Sequence, residues 1–205
     1  MYVRRIHYPL TTLGPGNRIG IYVMGCNKRC KGCMAKELQT VDEKYSVDVK
    51  DIISVIKNYY LNDNSIGVTI SGGEPFLQSD LDELVEGIRK IGIMDIMVYS
   101  GYTYDQLIEM GKSNILKNIG VLVDGEYIEE LNDNKALRGS SNQKVIFLND
   151  SLKDKYKECI NSKRKIEYVI NDNKIDVYGI FDKNMEKKLK DTFNKYNMEF
   201  ISGNE

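Results

Sequence analysis

Four short apolar runs, Arg18 to Met24, Ile66 to Ser71, Ile93 to Ser100 and Ile119 to Val123, recur along the chain with helix-patterned segments between them. Val49, Ile52, Ile53, Ile56, Tyr59 and Tyr60 follow the capping residue Ser46 at helical spacing, and Leu81, Leu84, Val85, Ile88 and Ile91 follow Asp80. A strand that is followed by a helix returns to the sheet in the same direction, so the alternation predicts βαβ units and a mainly parallel sheet. A short helix about Tyr104 to Met110 and a fifth strand, Val145 to Leu148, continue the pattern. These units are too few for a closed eightfold barrel. The expected fold is therefore α/β, an open partial (β/α) barrel of about five to six mainly parallel strands, with ligands gathered at the strands' carboxyl ends.

Around this core the signals are of other kinds. Residues 1–17 read as an irregular arm with Tyr8-Pro9 and the turn Gly14-Pro15-Gly16, and residues 34–45 as a short helix and connection. Beyond 148 the style changes to a helix Leu152 to Asn161, a hairpin of Ile166 to Ile170 and Ile175 to Phe181 turning at Asn171-Asp172-Asn173, an amphipathic helix and a strand Glu199 to Ile201. In the last helix Met185, Leu189, Phe193 and Tyr196 are expected to face inward. The expected division is a core of residues 1–148 and a small C-terminal α+β extension, 149–205, packed on it.

Net charge excludes some partners. With 29 Lys and Arg against 30 Asp and Glu, the chain has no basic footprint for nucleic acid. It shows neither the apolar stretch of a signal peptide nor a run approaching the roughly 18 apolar residues of a membrane span, so a cytoplasmic protein without membrane partners is expected. In that reducing setting cysteines seldom serve as structural disulfides.

Three of the four cysteines, Cys26, Cys30 and Cys33, fall in one loop as C-x3-C-x2-C directly after the first core strand. Thiolates converging from so short a loop repel one another without a cation between them, which makes the loop a metal site. Zinc accepts such spacings, with His7, the one histidine, as a possible fourth ligand. An iron–sulfur cube held by three cysteines leaves one iron free for a substrate, and no second C-x-x-C is present to close a zinc tetrahedron. The remaining cysteine, Cys159, lies on the apolar stripe of its helix and reads as a core residue.

The second core strand runs into Ser71-Gly72-Gly73-Glu74-Pro75. Successive glycines let a ligand approach the backbone, Pro75 holds Glu74 extended, and the absence of GK[ST] argues against a triphosphate loop.

Together, C-x3-C-x2-C after the first strand and Gly-Gly-Glu-Pro after the second resemble the radical S-adenosylmethionine enzymes. Gly14-Pro15-Gly16-Asn17-Arg18, Gly25-Cys26, Ser100-Gly101-Tyr102, Val121-Leu122-Val123-Asp124-Gly125 and Arg138-Gly139-Ser140-Ser141-Asn142-Gln143 narrow the resemblance to the glycyl-radical-enzyme activases of anaerobic ribonucleotide reductase, over about residues 1–148. The resemblance implies that Cys26, Cys30 and Cys33 hold a [4Fe–4S] cluster whose open iron takes the amino and carboxylate groups of S-adenosylmethionine. It implies that Gly72, Gly73 and Glu74 line the methionine amino group, that Ser100 and Asp124 approach its carboxylate and ribose side, and that Asn142 is a further candidate. A flavodoxin or ferredoxin would supply one electron. The resulting 5′-deoxyadenosyl radical would take a hydrogen atom from a glycine of a partner such as anaerobic ribonucleotide reductase.

The chain departs from the wider pattern in three places. Gly32 stands where many radical enzymes carry an aromatic residue. Asp124-Gly125-Glu126 replaces the Asp-x-Lys of related activases, and residues 149–205 exceed the compact members. The alternatives are a radical enzyme acting on another peptide, nucleic acid or small molecule, and a non-catalytic zinc or iron–sulfur module.

Overall fold

A computed structural model of the chain describes residues 1–171, 174–181, 183–196 and 199–201. Six strands form one sheet in sequence order: β1 (Val3–Leu10), β2 (Arg18–Val23), β3 (Gly67–Gly72), β4 (Ile96–Tyr99), β5 (Val121–Asp124) and β6 (Lys144–Phe147). Strands β2 to β5 are parallel, while β1 and β6 pair antiparallel at the two edges. The expected mainly parallel α/β sheet is present, consistent with a partial barrel.

Residue alternation along the strands sorts two cores. Ile19, Ile21 and Val23 of β2, Ile96 and Val98 of β4 and Leu122 of β5 point to one face. Helices α1 (Val49–Asn62), α2 (Leu81–Ile91), α3 (Tyr104–Glu109) and α4 (Ser113–Asn118) cover that face with Ile52, Ile56, Leu84, Ile88, Leu107 and Leu116. Met97, Val121 and Val123 point to the opposite face, where they meet Leu10, Leu13, Leu137, Leu152, Tyr156, Tyr178 and Ile180. Tyr156 belongs to α5 (Lys153–Asn161). Tyr178 belongs to β8 (Lys174–Gly179), the middle strand of a second sheet with β7 (Ile166–Asn171) and β9 (Glu199–Ile201). The hairpin of β7 and β8 is antiparallel as expected; two residues of its turn, Asp172 and Asn173, lie outside the described residues. Among the described residues no helix is long and apolar enough to cross a membrane.

Four local expectations are corrected. The supposed irregular arm holds β1, whose apolar period is masked by Arg4, Arg5 and His7; as an edge strand it tolerates Pro9 where its register shifts between His7 and Leu10. Helix α1 is capped by Asp48, which accepts the Lys50 N–H at 2.8 Å, while Ser46 bridges to Tyr2 instead. Residues 34–45 form two single 3₁₀ turns, Lys36–Leu38 and Glu43–Tyr45. The last helix, α6 (Lys183–Asn194), ends before Tyr196, which is 72% exposed rather than packed inward.

Beneath the sheet, at the amino ends of its parallel strands, a guanidinium is fully buried. Arg18 donates to Thr69 Oγ1 at 2.6 Å, to both Asp95 carboxylate oxygens at 2.9 and 3.0 Å and to the Val68 carbonyl at 2.8 Å. The Tyr156 hydroxyl and the Lys155 ammonium complete the shell of Asp95 at 2.6 and 2.8 Å. All of these bonds are charge-assisted or short, which offsets the desolvation of the pair.

Asp95→Asn leaves that guanidinium short of its counter-charge and is expected to lower stability by about 3–5 kcal/mol, read from urea unfolding. Burial pushes the Asp95 carboxyl up, but Arg18, Lys155 and Tyr156 together hold it below its ordinary value. Asp95 therefore adds stability above its unfolded pKa of about 4, and that stability is lost as pH falls through the lower folded value. The acid limb of the wild-type stability profile should flatten in Asp95→Asn.

Candidate metal centre

The cysteine loop leaves β2 at its carboxyl end and is held by main-chain bonds. Gly25 N–H donates to the Leu38 carbonyl at 2.8 Å and Cys26 N–H to that of Gln39 at 3.0 Å. Positive φ at Gly25 (95°), Arg29 (53°) and Gly32 (73°) coils the loop tightly. The left-handed φ at position 32 favours glycine there, and the Glu129 carboxylate packs against it. Cys26, Cys30 and Cys33 all line one cavity. Burial pushes the Cys30 thiol up to about 11, with Glu126 adding to the rise and the Tyr127 N–H opposing it. A bound cation reverses that preference and holds the thiolate.

The turn after β3 packs against this loop backbone to backbone. Gly73 N–H donates to the Val23 carbonyl and Glu74 N–H to that of Gly25, both at 2.8 Å. A Cβ on Gly72 would stand 2.4 Å from the Val23 oxygen, and one on Gly73 would stand 2.4 Å from the Gly25 oxygen. Neither backbone atom can yield, so this approach requires both glycines.

Glu74 is 1% exposed. One carboxylate oxygen accepts the Phe76 N–H at 3.1 Å and the Ser100 hydroxyl at 3.0 Å, and the other accepts the Gly101 N–H at 2.7 Å. Three donors occupy three of roughly four lone-pair sites, leaving one acceptor position on Oε2. Burial raises the Glu74 carboxyl, against these donors and the nearby Lys28. Glu74 thus joins the ends of β3 and β4. The cysteine loop reaches the same turn through Asn27, which donates to the Tyr102 hydroxyl at 2.6 Å, and through Lys28, whose Nζ lies 3.7 Å from the centre of the Tyr102 ring.

Of the residues singled out in the sequence, Cys26, Cys30, Cys33, Gly72, Gly73, Glu74 and Ser100 share the cavity lining. Asp124 and Asn142 are not part of it. The buried Asp124 carboxylate accepts the Tyr104 N–H at 2.7 Å and the Lys144 N–H at 3.3 Å, tying α3 and β6 to β5. Asn142 is exposed and donates to the Glu126 carbonyl at 2.8 Å. Their neighbours Gly125 and Gln143 line the cavity instead. Gln143 accepts the Gly139 N–H and donates to the Gly125 carbonyl, both at 2.7 Å. Tyr22, Tyr99, Glu37 and Val177 to Phe181 complete much of the wall. An in-facing tyrosine at a strand's end was the one signal for the first two; the extension gave none.

The donor set fits an iron–sulfur cube: three cysteines of one loop line one cavity, and on a cube three cysteines bind three separate irons. His7, the candidate fourth zinc ligand, is engaged elsewhere: Nε2 lies 3.1 Å from Glu167 and its ring stacks on Tyr178 at 3.7 Å. Cys159 packs on the second core and is absent from the lining.

Residues 12–146 match a protein family described as a 4Fe–4S single cluster domain. The anaerobic ribonucleoside-triphosphate reductase-activating protein of Escherichia coli K12 is 32% identical over 153 residues, spanning 69% of this chain and 96% of that protein. Its counterpart in Enterobacteria phage T4 is 28% identical, spanning 64% of this chain and 85% of its own length. A Methanocaldococcus jannaschii protein named for glycyl-radical enzyme activation is 31% identical over 78% of this chain and 59% of its own.

Glu74→Gln is expected to lower the unfolding free energy by about 1–3 kcal/mol, measured by urea titration. An amide has one acceptor oxygen, so either the Phe76 or the Gly101 N–H then faces an NH₂ group.

Proposed function

Because the chain belongs to the 4Fe–4S single-cluster family and to the family of anaerobic ribonucleoside-triphosphate reductase-activating proteins, we propose that it is a radical S-adenosylmethionine enzyme that installs a glycyl radical on an anaerobic ribonucleotide reductase or a close relative of it. The observation that carries this reading is the backbone contact between Gly25 and Gly73-Glu74, which opens the three cysteines and the Gly-Gly-Glu turn into one cavity.

Cys26, Cys30 and Cys33 are the thiolate ligands of the cluster in this reading. Bound there, the cluster would supply the one electron that cleaves the S–C5′ bond of the S-adenosylmethionine sulfonium, the chemistry by which a hydrogen atom would be taken from a glycine Cα of the partner and carried off in 5′-deoxyadenosine. The chain's residues hold the reactants. The free acceptor position on Glu74 and the open backbone of Gly72 and Gly73 receive the methionine ammonium, the pairing expected of a carboxylate beside a cation. Ser100 fixes the Glu74 carboxylate while donating to it. Gly125 and Gln143, rather than Asp124 and Asn142, face the rest of the cofactor. A flavodoxin or ferredoxin serves as electron donor, and the reaction takes place in the cytoplasm.

Anaerobic reconstitution should give about four irons per chain. Reduction with S-adenosylmethionine should release 5′-deoxyadenosine, and adding the anaerobic reductase of the same source should give a glycyl radical by electron paramagnetic resonance. Cys26→Ala, Cys30→Ala or Cys33→Ala should each abolish both products. Stoichiometric zinc and no 5′-deoxyadenosine would overturn the enzyme reading. Cleavage without a glycyl signal would transfer the target to another molecule.

A further inference from the structure

The cavity lining carries two chemically unlike sets of residues: the cysteines, Lys28, Glu74 and the bare backbone of Gly72, Gly73 and Gly101, and with them the apolar and aromatic side chains Leu13, Tyr22, Tyr99, Tyr178, Ile180 and Phe181. The last three come from the end of β8 and the residues after it, outside the matched residues 12–146.

This wall is fixed firmly in place. The Tyr178 ring stacks on His7 at 3.7 Å and meets Tyr22 at 5.8 Å, while Arg5 lies 5.6 Å from its centre and pairs with Asp176 at 2.9 Å. Glu167 of β7 grips β1 through His7 and the N–H of Thr11, at 3.1 and 3.0 Å. The Phe181 N–H donates to Sδ of Met34 at 3.0 Å, and Met34 directly follows Cys33. Phe181 is therefore an aromatic residue anchored beside the cysteine loop, 5% exposed and facing the cavity.

We infer that this segment of the extension, Tyr178 to Phe181, forms a positioning wall for the adenosine half of S-adenosylmethionine. The inference rests on the function proposed above. A ligand whose charged amino-acid head is held at the cysteines and Glu74 has its flat, ring-bearing part left to pack on the rest of the lining, where Phe181 stands beside the cysteine loop. Apolar and aromatic surfaces are what such a ring packs on. The same lining carries three buried polar atoms without a hydrogen-bond partner among the described residues, the Tyr22 and Tyr99 hydroxyls and Glu37 Oε2. Ring nitrogens and ribose hydroxyls offer the hydrogen bonds these lack. The extension is then a working part of the cofactor site, and Phe181 its specificity residue toward the base.

The test compares two probes on the reconstituted full chain: S-adenosylhomocysteine, which carries the adenosine, and methionine, which does not. Phe181→Ala should weaken S-adenosylhomocysteine about tenfold with methionine affinity and iron content unchanged. Phe181→Leu, which keeps apolar volume for folding, should weaken it by a smaller factor, and Phe181→Tyr should restore it. Unchanged S-adenosylhomocysteine binding in the Ala and Leu variants would overturn the inference. So would equal weakening of both probes or loss of iron in both variants, which marks a merely structural wall. If the wild-type protein with its cluster binds neither probe and cleaves no S-adenosylmethionine, the proposed function falls, and this inference with it.

Discussion

A single buried guanidinium sets the register on which the site depends. Arg18 opens β2 opposite Gly67 of β3, and a Cβ on Gly67 would lie 2.4 Å from Arg18 Nη1. The pairing is thus specified at the amino end by an ion that fits one partner position. Register then runs unbroken along both strands to Val23 opposite Gly72. A slip of one residue would turn Arg18 out of its cage and carry Gly73 away from Gly25. The cage and the cysteine loop lie at opposite ends of the same two strands, and the first determines what the second can touch.

At the carboxyl ends, three strand-to-helix connections are fastened to each other rather than to their own strands. Glu74 joins the β3 turn to the β4 turn, and Asn27 and Lys28 bring the cysteine loop onto Tyr102, while Gln143 closes the β5–β6 connection on itself. The resulting cavity is built of short, mutually supported loops with little freedom of their own. Pre-organisation of this kind suits the proposed chemistry, which needs its reactant held in one orientation and water kept out.

Much of this was legible before the fold was known, for identifiable reasons. Helices α1 and α2 carry broad apolar stripes, and the cysteine and glycine motifs are defined by chemistry that tolerates few substitutes. β1 was hidden because an edge strand with one covered face alternates with charges, and α4 because Lys112 makes no capping bond to announce it. Asp124 and Asn142 stand one residue from Gly125 and Gln143, which line the cavity. Which of two adjacent residues turns inward depends on bonds to Tyr104 and Glu126 that no local pattern reveals. Arg18 stands at the start of an apolar run; its burial follows from Asp95 and Tyr156, far away in sequence. The contribution of β8 to the cavity is a matter of tertiary docking and left no trace in spacing.

The contact of Gly72 and Gly73 with Val23 and Gly25 involves main chain only. It is therefore indifferent to the side chains displayed between the cysteines. Lys31, whose Nζ reaches Glu130 at the surface, can be exchanged while the fastening beneath it stays intact. What holds the cysteine loop to the Gly-Gly turn and what that loop displays outward are separate properties of the fold.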